Sequence, residues 1–101
     1  MDTLKATFQA VIERYTGEGL NGYAYLVHDS VQEIYTVMSV GYIRQRRVTD
    51  ANLIVRLTSD KIIIERNMND KTLADALVQA GVPRQSIILA CAGEPVPDTI
   101  A

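Results

Sequence analysis

Between Tyr15 and Tyr23 the hydrophobic pattern of this chain changes period from 3.6 to 2, and it keeps the period of 2 as far as Asn67. Upstream of the change, Leu4, Phe8, Val11, Ile12 and Tyr15 fall on one helical stripe, with Lys5, Gln9, Glu13 and Arg14 mostly away from it. The spacing predicts an amphipathic helix of about four turns. Asp2 or Thr3 is expected to cap its start, Gly17 and Gly19 to end it, and Asn21-Gly22 to turn the chain.

Downstream, Tyr23 to His28 is rich in aromatic and β-branched residues, and Ile34, Thr36, Met38, Val40 and Tyr42 alternate with Tyr35, Val37, Ser39 and Gly41. Leu53, Val55 and Leu57 alternate with Asn52, Ile54 and Arg56, and Lys61 to Arg66 follows after a Ser59-Asp60 turn. The connections are too short for parallel neighbours, so four antiparallel strands are expected.

The pattern then returns to a helical period. Asn69 or Asp70 is expected to cap a second helix with the stripe Leu73, Ala74, Leu77 and Ala80, closed by Gly81 and Pro83. Ser86 to Ala92 reads as a short strand or a buried turn, and the tail with Pro95 and Pro97 as irregular. At 101 residues, 48% hydrophobic and 22% charged, the chain has the make-up of one folded domain, residues 1–101, not of a disordered or fibrous protein. The expected fold class is α+β: an N-terminal helix, a four-stranded antiparallel sheet, a second helix and a short C-terminal strand, with the helices packed on one sheet face.

Chemistry-bearing motifs are scarce. Cys91 is the sole cysteine, which excludes an internal disulfide and every multi-cysteine metal pattern, and its apolar surroundings predict a packing thiol. His28 and Asp29 are adjacent in a strand and so point to opposite faces, which favours a structural histidine over a catalytic couple. Glu94 and the Asp98-Thr99 pair lack the spacing of paired catalytic carboxylates. Gly17-Glu18-Gly19 follows a helix instead of opening one, unlike a phosphate-binding turn. No catalytic residue, cofactor or metal is therefore expected. With no apolar run of membrane-spanning length, a cytoplasmic protein is expected.

Charge and aromatics point instead to recognition. Ten basic and twelve acidic residues give a net charge of −2, yet residues 44–66 hold Arg44, Arg46, Arg47, Arg56, Lys61 and Arg66 against Asp50, Asp60 and Glu65. A cross-strand pair such as Arg56 with Glu65 accounts for part of that excess. Arg44, Arg46 and Arg47 remain as the candidate partner-binding residues, because guanidinium forks hold carboxylates or phosphates in two bonds. An acidic chain favours a protein partner over autonomous DNA binding. Tyr23, Tyr25, Tyr35 and Tyr42 fall in the strand region, and on a sheet face free of helices they would promote self-association.

The stretch from Val37 to Leu89 resembles the XisI family of cyanobacteria, the fdxN element excision controlling factors. The residues that carry the likeness are Val40-Gly41-Tyr42, Arg47-Val48, Lys61 to Arg66, Leu73-Ala74 and, above all, Leu77 to Leu89 with its Ala80-Gly81-Val82-Pro83 core. The chain departs from the family pattern at Tyr42, where Trp is common, at Ser59-Asp60 in place of Asp-Gly, at Ile54 and Arg56 in place of a His and an acidic residue, and from Cys91 to Ala101. It thus looks like a divergent member. The resemblance implies a non-enzymatic accessory factor in site-specific DNA excision that acts with an XisH-like, nuclease-related protein and a recombinase; beside it, the strand tyrosines lead us to expect homo-oligomers, and the mild acidity with a localised basic hairpin leads us to expect indirect DNA contact. Two alternatives are a direct DNA-binding accessory factor and a small-molecule sensor using His28 or Cys91 in an interface pocket.

Overall fold

The period-2 segment folds as an unbroken meander. In a computed structural model, which describes residues 3–19, 21–69 and 72–96, the strands β1 (Gly17–Glu18), β2 (Gly22–Asp29), β3 (Ile34–Ile43), β4 (Arg46–Leu57), β5 (Ile62–Asn67) and β6 (Ile87–Leu89) form one sheet in sequence order. The first five are antiparallel, and β6 runs parallel to β5. The α+β class holds, but the sheet has six strands and is mixed. A parallel neighbour needs a crossover, and the helix α2 (Leu73–Gln79) supplies it.

The two added strands are short. Gly17, at φ 124°, and Glu18 do not end the first helix; they pair with Ala24 and Tyr23 as β1. The helix α1 (Thr3–Ile12) tightens instead into a 3-10 turn over Glu13–Tyr15, where the Thr16 hydroxyl donates to the Glu13 carbonyl at 2.7 Å. Gly22 lies opposite Gly41, and a Cβ there would come within 2.0 Å of the Val40 carbonyl oxygen.

Thr72, not Asn69, caps α2, its hydroxyl accepting from the Asp75 amide at 3.4 Å. The proposed caps Asp2 and Asp70 lie outside the described residues, as do Pro97 and Asp98-Thr99. At the other end Gly81 takes φ 103°, and the paired bonds from Gly81 to Val78 and from Val82 to Leu77 close the helix. Ala76 takes the buried place expected for Ala80, which is exposed.

Both helices pack on one face. Phe8, Val11 and Ile12 of α1 and Leu73, Ala74, Ala76 and Leu77 of α2 share a core with Tyr35, Val37, Leu53, Val55, Leu57, Ile62, Ile64 and Ile87. Tyr35 anchors it: the Phe8 ring meets it edge-on at 4.9 Å, and the His28 ring stacks on it at 3.9 Å. Its hydroxyl accepts from Gln9 at 3.0 Å and donates to Glu33 at 3.4 Å. Glu33 also accepts from Lys5 at 3.1 Å and lies 3.4 Å from His28, which ties α1 to the turn between β2 and β3.

The hydrogen bond from Lys5, with help from His28, holds the Glu33 carboxyl below its ordinary pKa. A carboxyl whose pKa is lower in the folded state than in the unfolded chain contributes stability that is complete above the ordinary value and is lost as the pH falls through the lowered one. The expected result is that Glu33→Gln lowers Tm by roughly 2–4 °C at neutral pH, and that the gap from the parent closes under acid conditions, read by thermal denaturation across a pH series. A second test concerns the β3–β4 turn, where Arg44 and Gln45 take φ of 52° and 65°, a conformation that suits Asn-Gly. Replacing the pair by Asn-Gly is expected to stabilise the fold by about 1 kcal/mol, measured by urea unfolding.

Candidate functional site

The sheet face opposite the helices carries Tyr23, Tyr25 and Val27 from β2, Ile34, Thr36, Met38, Val40 and Tyr42 from β3, Ile54 from β4 and Ile63 from β5. No described helix shares a core with this face. Val40 and Ile63 are buried between their cross-strand neighbours, whereas Tyr23 is 45% exposed, Tyr25 44%, Val27 47% and Tyr42 55%. The Tyr23 and Tyr25 rings lie 6.0 Å apart, tilted by 31°. Three half-exposed aromatic rings on a pleated surface are the kind of apolar and hydrogen-bonding mixture that interfaces favour.

Six basic residues distinguish residues 44–66, and the structure divides them. Arg56 pairs with Glu65 at 3.1 Å, as its cross-strand position suggested. Arg66 donates to the Ala51 carbonyl at 2.8 Å and reaches Asp50 at 3.5 Å, and Lys61 donates to the Gln85 carbonyl at 3.3 Å. Among the described residues Arg44, Arg46 and Arg47 enter no ion pair. All three are exposed at the tip of the β3–β4 hairpin, but they do not form one cluster.

Arg44 occupies the turn, Arg46 opposes Ile43 on the helix side, and Arg47 opposes Tyr42 on the uncovered face. Hydrogen bonding to Tyr23, with a weaker contribution from Tyr42, raises the Arg47 pKa further. One end of the uncovered face thus presents a permanent positive charge framed by phenols. The remaining tyrosine of the strand region, Tyr35, belongs to the core side and takes no part.

The other singled-out residues sit elsewhere. His28 is occupied by Tyr35 and Glu33. Cys91 is not a packing thiol: it is exposed on the 3-10 turn Ala90–Ala92 that follows β6, because the apolar run ends its strand at Leu89. Glu94, read as a tail residue, accepts from the Leu89 amide at 2.9 Å and from Arg84 at 2.9 Å, and these bonds lower its pKa. A shallow cavity of about 350 Å³ beside Tyr23 is lined in part by Arg14, Tyr15, Glu18, Ser39 and Gly41, and another of about 360 Å³ by Thr3, Thr7, Ser59, Asp60 and Pro83. Neither His28 nor Cys91 lines them. Among the described residues no three metal-ligating side chains gather, and no helix is long and apolar enough to cross a membrane.

That Tyr23, Tyr42 and Arg47 share one end of one face was not legible in the sequence, since it needs the registers of two hairpins at once. The usable signal was the shared parity of Tyr23 and Tyr25 in one strand and of Val40 and Tyr42 in the next.

Comparison with known proteins bears on what this surface belongs to. No curated protein matches the chain. A crystal structure of a XisI-like protein from Anabaena variabilis ATCC 29413 superposes with a TM-score of 0.65 at 23% identity, covering 85% of this chain and 81% of the other. The fdxN element excision controlling factor XisI from the same organism gives a TM-score of 0.58 at 21% identity, covering 88% and 80%. These two share the fold. The family model described as XisI protein matches residues 1–96, and by that match the chain belongs to the XisI family.

Proposed function

We propose that this chain is a non-enzymatic accessory factor in the excision of a DNA element, and that it works as a protein adaptor. Its partner is an XisH-like, nuclease-related protein, alone or together with a site-specific recombinase, and contact with DNA belongs to the assembly. The observation that carries this reading is the uncovered sheet face, with Arg47 framed by Tyr23 and Tyr42 at its hairpin end. A half-exposed aromatic surface with one fixed cation suits a partner that offers an apolar patch and a carboxylate. Family membership supports the excision role, because a relative of the same fold is an fdxN element excision controlling factor.

Arg44 and Arg46 extend the positive field around the hairpin tip, and Arg47 supplies the directed contact. Separating their parts is straightforward. Arg47→Ala is expected to weaken binding to the XisH-like protein about tenfold or more, and Arg46→Ala by much less, measured by calorimetric titration of the folded variants. Unchanged affinity of the triple Arg44→Ala, Arg46→Ala, Arg47→Ala variant would overturn the assignment. The same variant separates the adaptor from a direct DNA-binding factor, whose affinity for duplex DNA falls steeply as salt rises.

A further inference from the structure

The two edges of the sheet are finished differently. At β6 the chain closes its own edge: after three residues it turns away, Glu94 takes the Leu89 amide at 2.9 Å, and the Glu94 amide donates to the Leu89 carbonyl at 3.1 Å. At the other edge β1 pairs only with Tyr23 and Ala24, and the bond from the Gly19 amide to the Gly22 carbonyl continues that pairing by one residue. Tyr25 to Asp29 have no strand on their outer side among the described residues.

The hydrogen-bonding parity of β2 identifies the free groups. The Gly22 carbonyl points outward to Gly19, while the Asn21 carbonyl accepts from Tyr42 on the β3 side. Alternation then turns Ala24, Leu26 and His28 outward and Tyr23, Tyr25 and Val27 toward β3. Ala24 is met by Gly17. Leu26 and His28 are left, with two amides and two carbonyls on an edge that has no proline, lysine or bulge to blunt it.

We infer that a second copy of this chain fills that edge, β2 pairing antiparallel with β2 about a two-fold axis at Val27. Only this register uses all four free groups and leaves β1 in place. Leu26 of one copy exchanges two hydrogen bonds with His28 of the other, the symmetric pair adds two more, and Val27 faces Val27 in the closely spaced position between them. Pairing Leu26 with Leu26 would bring His28 against Ala24, which β1 already occupies. The register also suits the side chains. Asp29, the only carboxylate of the strand, lies across from the Tyr25 phenol and not from its own symmetry mate. The result is one twelve-stranded sheet whose two uncovered faces run on into each other, so Tyr23, Tyr42 and Arg47 of both copies stay accessible.

The pairing goes beyond the adaptor reading and is tested on the purified chain alone, so either can fail without the other. Opposed residues of a closely spaced pair have Cα atoms about 4.5 Å apart, within disulfide range. In a Cys91→Ser background, Val27→Cys is expected to oxidise to a covalent dimer of twice the chain mass, while Val31→Cys, in the exposed turn, stays largely monomeric. Sedimentation gives an independent readout. The native chain is expected to dimerise at about micromolar concentration, and Val27→Lys, which sets two cations on the axis, to shift it to monomer by at least tenfold in Kd. A native chain that stays monomeric at tens of micromolar, a Val27→Lys dimer of unchanged Kd, or Val31→Cys cross-linking as fast as Val27→Cys would overturn the proposal.

Discussion

One-sided burial governs this molecule. A six-stranded sheet has two faces, and both helices spend their apolar stripes on the same one, because α1 enters beside β1 and α2 is the crossover that carries the chain from β5 to a parallel β6. Tyr35 holds that arrangement in register, with Phe8 against its edge, His28 on its ring and Gln9 and Glu33 at its hydroxyl. Burying a tyrosine this deeply is tolerable only because the hydroxyl keeps its partners. The uncovered face follows directly from where the helices go.

On the adaptor proposal, that face gives a mildly acidic chain its recognition site. Internal partners neutralise Arg56 and Arg66 and occupy Lys61, which leaves the positive charge at the hairpin tip. Strand pleating then points Arg46 and Arg47 to opposite sides, so a run of basic residues in sequence becomes one directed cation in space. Phenols beside that cation add area and hydrogen-bonding capacity with little side-chain entropy to lose on binding.

Much of the architecture was legible because it rests on local patterns. The strands β2 to β5, the Ser59-Asp60 turn, the Gly81 cap and the Arg56–Glu65 pair all stem from residues close in sequence or near one another across a tight hairpin. Long-range closure was harder to read. The two residues of β1 and the three of β6 are too short to show a period, and β6 finds its place through α2 packing, not through its own pattern. Thr72 outcompeted Asn69 as the cap because the helix begins later than its polar leader. The candidate site was legible as a set of residue types, but not as a constellation: alternation showed two sets of side chains on β3 without showing which was inward, and so could not separate Tyr35 from Tyr42.

The most direct test of the uncovered face as the proposed working surface is tyrosine labelling of the chain, free and in a stoichiometric complex with the proposed XisH-like partner, followed by peptide mass analysis. The account predicts that Tyr23, Tyr25 and Tyr42 react in the free chain, that Tyr23 and Tyr42 become protected in the complex, and that buried Tyr35 stays unreactive in both. A complex that leaves Tyr23 and Tyr42 as reactive as in the free chain would place the partner on another surface and contradict it.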